Sequence, residues 1–110
     1  MALPRAHRLV RSSDIRGVFS GPVSIKEGRV VMKAAMSKGK EPRFAVVVSK
    51  AVHKSAVQRN RIRRLLQEGL RANIQHIGAR DVVIIVLRGI SLKGAADAQE
   101  IVRRLFFKIH

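Results

Sequence analysis

Residues 43–88 read RFAVVVSKAVHKSAVQRNRIRRLLQEGLRANIQHIGARDVVIIVLR, and the hydrophobic period changes twice along them. Arg43 to Ser49 is a short valine-rich run, which reads as a strand. From Ser55 to about Ile74 the period is that of a helix, with Ile62, Leu65, Leu66, Gly69 and Leu70 on one stripe. Ser55-Ala56-Val57-Gln58 matches a capping box at its start, and Gly78 lies just past its end. Asp81 to Arg88 is then a β-branched run too continuous for a half-exposed strand, so it is expected to be central and covered. Together these elements make one βαβ unit from Arg43 to Arg88.

The flanks extend this frame. Ser12 and Ser13 offer N-caps to a short helix with Ile15, Val18 and Phe19 on its apolar side, stopped at Gly21-Pro22. Val23 to Ile25 reads as a short strand and Arg29 to Met36 as a longer one. The Lys/Gly-rich turn Lys38 to Pro42 then predicts that Arg29 to Met36 and Arg43 to Ser49 pair as a hairpin. A last amphipathic helix, about Ala95 to Ile109, closes the chain. The expected fold is an α/β (α+β) two-layer sandwich, a small mixed sheet packed by helices in the order α-β-β-β-α-β-α. Its 110 residues form a single domain, 1–110.

Composition narrows the function. There are 23 Lys or Arg against 7 Asp or Glu, a formal net charge of +16, with 46% hydrophobic residues and no cysteine. Absent cysteine removes thiol catalysis, zinc ribbons and a disulfide framework, and fits a reducing, cytoplasmic setting. The longest apolar run, Val82 to Leu87, is far short of a membrane span, and MALPRAHRLV has no continuous apolar stretch of the kind a signal peptide needs. Charge of this size repels itself unless a polyanion binds it. Arginine supplies 15 of the 23 cations, and its planar fork suits phosphate, so nucleic acid is favoured over lipid.

The charge is concentrated. No acid lies between Glu41 and Glu68, while Arg43, Lys50, Lys54, Arg59, Arg61, Arg63 and Arg64 are all present. At 100° per residue, Asn60, Arg61, Arg63 and Arg64 fall on the arc opposite Ile62, Leu66 and Leu70. Arg59 falls near the edge of the apolar stripe, from which it can reach back toward the sheet surface. A solvated face is the ordinary fate of a charge run, but electrostatics argues against it. These cations crowd the positive end of the helix macrodipole, where each costs about 0.3–1 kcal/mol at low salt. The last helix follows the stabilising order instead, with Asp97 and Glu100 early and Arg103, Arg104 and Lys108 late. A phosphate partner accounts for the exception, because a helix start also binds anions.

SKAVHKSAVQRNRIRRLL, Ser49 to Leu66, resembles the Arg-Asn-Arg signature of the bacterial ribonuclease P protein family. LPRAHRLVRSSDIRGVFSGPVS resembles that family's opening, and the strand ending in Arg88 and the closing helix also fit. Ile15 stands where the family usually has Phe, Gln67 where an Arg often ends the signature, and His53-Lys54-Ser55 replaces a shorter Gly-containing turn. The resemblance implies a left-handed crossover between parallel, adjacent strands, although such connections are right-handed in about 98% of cases. It implies a protein without an active site of its own, the non-catalytic subunit of the endoribonuclease ribonuclease P. Such a subunit binds the catalytic ribonuclease P RNA and the 5′ leader of precursor tRNA and supports 5′ maturation of tRNA. Catalytic-RNA contacts map to Lys54, Arg59, Asn60, Arg61, Arg63 and Arg64, and leader contacts to Ile15, Phe19, Lys50 and Arg88. The protein is expected to bind no cofactor or metal itself, with Mg²⁺ held by the RNA, and to act as a monomer in a one-protein, one-RNA complex.

The residues agree on the missing chemistry. Asp14, Glu27, Glu41, Glu68, Asp81, Asp97 and Glu100 are scattered, and His7, His53, His76 and His110 show no ligand spacing. The only aromatics are Phe19, Phe44, Phe106 and Phe107, with Phe106 and Phe107 expected in the core and at its edge, so recognition is expected to rest on phosphate and shape. A small structural ribosomal RNA-binding protein shares this composition and is the alternative reading. A sequence-specific DNA-binding protein ranks third, for want of a helix-turn-helix.

Overall fold

The computed structural model describes residues 5–21, 23–37, 39 and 41–109. Leu3 and Pro4 of the N-terminal block, the helix-stopping Pro22, the turn lysines Lys38 and Lys40, and His110 lie outside the described residues. The elements are α1 (Ser12–Phe19), β1 (Val23–Glu27), β2 (Val30–Met36), β3 (Arg43–Val47), α2 (Ala56–Ala72), β4 (Arg80–Val86) and α3 (Ala95–Lys108). Short 3₁₀ turns at Arg5–His7 and Ile74–His76 complete them. The predicted order holds, with ends shifted by one or two residues.

The four strands form one sheet in the order β1-β2-β4-β3. β3 and β4 are parallel and adjacent, and β4 also pairs antiparallel with β2. The expected hairpin between Arg29–Met36 and Arg43–Ser49 does not form, because β4 lies between those two strands. The physical reason lies in β4 itself: Val82, Val83, Ile84 and Val86 are all buried, so this strand needs cover on both faces and a neighbour along each edge. The observed hairpin is β1–β2, where Glu27 pairs with Val30 across the two-residue turn Gly28-Arg29. Gly28 supplies the left-handed φ of 58° that such a turn requires.

Register sorts the sheet into two faces. Val23, Ala34, Val82 and Phe44 form one cross-strand row and Ile25, Met32, Ile84 and Val46 the next. Both rows enter the main core beneath α2 and α3, joined by Ile62, Leu66, Leu70, Val102, Leu105 and Phe106. The Phe44 and Phe106 rings stack there with centroids 6.3 Å apart. Gly69 lets α2 and α3 approach closely, since a Cβ at that position would lie 2.9 Å from the Ala98 carbonyl oxygen. On the opposite face α1 covers a smaller cluster of Leu9, Val18 and Val83, flanked by Ile15, Ala35, Ala45, Val47 and Ile85.

Two helix starts differ in detail from expectation. Arg11, not Ser12 or Ser13, is the N-cap residue of α1, and it makes no side-chain cap bond. The helix begins early because the chain just upstream is tethered, Leu9 N–H donating to the Phe44 carbonyl at 2.7 Å. Ser55 does cap α2, its Oγ accepting from Gln58 N–H at 3.4 Å. The reciprocal half of the capping box is replaced, because Ser55 N–H donates to His53 Nδ1 at 3.1 Å.

Candidate nucleic-acid interface

The packing of α2 orients its charge. Ile62, Leu66, Gly69 and Leu70 are buried against the sheet and α3, which turns Asn60 and Arg64 fully outward and leaves Arg63 half-buried. These three surround a shallow depression with Val57, an apolar side chain 71% exposed in the middle of the basic face. Arg63 Nη1 donates to Asn60 Oδ1 at 2.6 Å, which fixes the pair as one ledge. Lys54 stands exposed just before the helix.

Arg59 and Arg61 are held differently. Arg59 Nη1 donates to the carbonyls of His53 and Lys54, both at 2.9 Å. Its position on the stripe pointed toward the sheet surface, but the side chain is taken up instead by the loop that precedes α2. Arg61 belongs by angle to the outer arc, yet it is half-buried and its Nη1 donates to the Leu92 carbonyl at 3.1 Å. The β4–α3 loop wraps over this side of α2, which a helical wheel cannot show.

Lys50 and Arg88 come together at the C-terminal ends of the parallel strands β3 and β4. With Ala51, Val52, His53 and Lys54 they line an open depression of about 560 Å³, and Arg88 Nε donates to the Ala51 carbonyl at 3.3 Å. Ile15 and Phe19 sit apart from this pair on α1. Ile15 packs into the smaller cluster, while Phe19 is 40% exposed. Between α1 and the Lys50–Arg88 end the sheet shows the row Val47, Ile85 and Val31, all half-buried, and Lys33 and Lys26 stand on the same face by strand alternation. The result is an apolar shelf edged with cations. Val57, Lys26 and Lys33 were not singled out from sequence; the signal for the lysines is their alternation with core-facing residues in β1 and β2.

Apart from Glu68, four residues after Arg64 on α2, the carboxylates lie off this helix. Asp81 binds Arg43 through two bonds of 2.9 and 2.8 Å, and Asp14 lies 3.5 Å from the same guanidinium, which locks α1 to the sheet. Bonding to Asp81 raises the Arg43 pKa further. Glu100 bonds Arg103 and Arg104, and chiefly the Arg103 bond lowers its carboxyl to about 2. Glu27, bonded by Lys108 and Arg104, is likewise held below the ordinary range. Asp97 accepts from the Lys93 N–H at 2.8 Å. Among the described residues no group of three or more His, Asp or Glu comes together to hold a metal ion. The contrast with α2 is plain: acids neutralise Arg43, Arg103, Arg104 and Lys108, whereas Arg59, Arg61, Arg63 and Arg88 are held by carbonyl or amide oxygens that leave their charge intact.

Fold and surface together define a class: a small mixed α+β domain whose longest helix presents an excess of positive charge to solvent. The chain belongs to the ribonuclease P protein family, whose model matches residues 3–110. It is similar to the ribonuclease P protein component of Pseudomonas aeruginosa, 34% identical over 87 residues, covering 78% of this chain. The match spans 64% of that relative's length. Among solved structures it shares its fold with the Staphylococcus aureus RNase P protein, at a TM-score of 0.82 and 24% identity over 96% of this chain and 95% of that one. The Thermotoga maritima RNase P protein gives a TM-score of 0.78 at 21% identity, over 94% of this chain and 97% of that one. Among the described residues no helix is long and apolar enough to cross a membrane.

Proposed function

We propose that this chain is the protein component of a cytoplasmic ribonuclease P ribonucleoprotein. It binds the catalytic RNA with the α2 face of Lys54, Asn60, Arg63 and Arg64, with Arg59 and Arg61 beside it, and binds the 5′ leader of precursor tRNA along the shelf near Ile15, Phe19, Lys50 and Arg88. The observation that carries this reading is the charge on α2: cations gathered at the positive end of the helix, in a chain of this family. The chemistry of leader cleavage, and the Mg²⁺ it uses, then belongs to the RNA. The protein's part is to neutralise repulsion between two polyanions and to hold the substrate. One protein per RNA suffices, since both surfaces lie on one chain.

The test is binding of a bacterial ribonuclease P RNA as salt is varied. Replacing Arg63 and Arg64 by alanine is expected to weaken binding and to flatten log K against log salt by about 0.7–0.9 for each phosphate that is no longer neutralised. Selective binding of ribosomal RNA over ribonuclease P RNA would favour the ribosomal alternative and overturn the proposal.

A further inference from the structure

Three guanidinium groups around the start of α2 spend donors on main-chain carbonyls rather than on acids. Arg59 bonds His53 and Lys54 in the β3–α2 loop. Arg61 bonds Leu92 in the β4–α3 loop. Arg88, at the end of β4, bonds Ala51 and so ties the second loop to the first. Within the first loop, Val52 N–H donates to the Ser49 carbonyl and Ser55 N–H to His53 Nδ1.

We infer that Arg59, Arg61 and Arg88 are positioning residues that lock the two loops to α2 before RNA arrives, so that Lys50, Lys54, Asn60, Arg63 and Arg64 make the direct contacts. This deepens the RNA-binding reading and rests on it. Loop residues are the ones whose backbone freedom is lost on binding, and a loop held beforehand loses less. The Ser55 cap ties only the last loop residue to α2, whereas the Arg59 bonds reach back to His53 and Lys54.

The experiment compares Arg59→Met, Arg61→Met and Arg88→Met with Arg64→Met, reading two quantities on the whole protein. The first is the slope of log K against log salt for a bacterial ribonuclease P RNA. The second is amide hydrogen exchange of residues 49–55 and 87–93 in the free protein. Arg64→Met is expected to flatten the slope by about 0.7–0.9 with native loop exchange. The three clamp variants are expected to keep the native slope, to bind severalfold more weakly, and to exchange their loop amides at least tenfold faster. A clamp variant that flattens the slope as Arg64→Met does, or whose loops exchange at the native rate, overturns the inference. If a variant does not fold, guanidinium proton exchange in the unsubstituted protein decides: Arg59, Arg61 and Arg88 should exchange more slowly than Arg64 without RNA, and equal rates refute the clamps. Failure of the unsubstituted protein to bind the RNA refutes the proposed function, while the exchange measurements still judge the clamps.

Discussion

Gly69 and Gly17 are both helical glycines, and the structure predicts opposite effects of alanine at the two positions. In an exposed helix interior alanine is favoured over glycine by about 1 kcal/mol. At Gly17 in α1 a new Cβ meets nothing within 4 Å, so Gly17→Ala should realise most of that gain. At Gly69 the Cβ would lie 2.9 and 3.0 Å from the carbonyl oxygen and carbon of Ala98 and 3.2 Å from Val102 Cγ2, where ordinary contact begins near 3.4 Å. Two of these atoms are backbone, so α3 must move by about half an ångström, and overpacking of this kind costs about 1–3 kcal/mol. Subtracting the propensity gain leaves a net loss of about 1 kcal/mol for Gly69→Ala, or a fall in Tm of about 4 °C in a domain of this size. Gly69→Val, with a branched side chain, should lose considerably more. Thermal unfolding of the three variants checks this. Equal stabilisation by both alanines would show that α2 and α3 are not in close contact at Gly69, and would undermine the packing that aims the basic face outward.

Acid should weaken the fold through Glu100 and Glu27. A carboxyl whose folded pKa is depressed contributes stability above its unfolded value near 4.5, and that contribution is lost as pH falls toward the folded value, about 2 for Glu100. Carboxyl ¹³C titration should therefore place the Glu100 midpoint well below 4.5, and Glu100→Gln should flatten the stability profile over that window; a midpoint near 4.5 would contradict the Arg103 and Arg104 bonds. Asp81→Asn leaves the Arg43 guanidinium without its two-point partner, with Asp14 as partial compensation, and should cost about 2 kcal/mol in urea unfolding. Phe19→Ala should leave affinity for the catalytic RNA unchanged and reduce the preference for precursor over mature tRNA; an equal loss for both would mean that Phe19 does not meet the leader.

Local pattern was legible where a single element decides it. The Ile62, Leu66 and Leu70 stripe, the Ser55 cap and the buried character of β4 follow from spacing and side-chain type alone, and all are observed. Strand order was not legible from turn residues, because the partner of β2 is set by which strand most needs burial, and β4 is more than forty residues away in sequence. The same limit applies to the arginines. Angular position on a helix separates Ile62 from Arg64, but it cannot show that a loop carbonyl at Leu92 reaches Arg61 or that the chain doubles back to place the carbonyls of His53 and Lys54 beside Arg59. Of the two phenylalanines near the C-terminus, Phe106 stacks on Phe44 in the core, whereas Phe107 is 78% exposed rather than merely at the core's edge.

The most direct test of the account is cleavage of a precursor tRNA by purified components at low Mg²⁺ and low monovalent salt, where phosphate repulsion is least screened. The protein alone should cut nothing, and a bacterial ribonuclease P RNA alone should cut slowly. The two together should release the 5′ leader much faster, with the advantage shrinking as Mg²⁺ and salt rise. Cleavage by the protein without RNA, or an RNA rate unchanged by the protein under these conditions, would contradict the account.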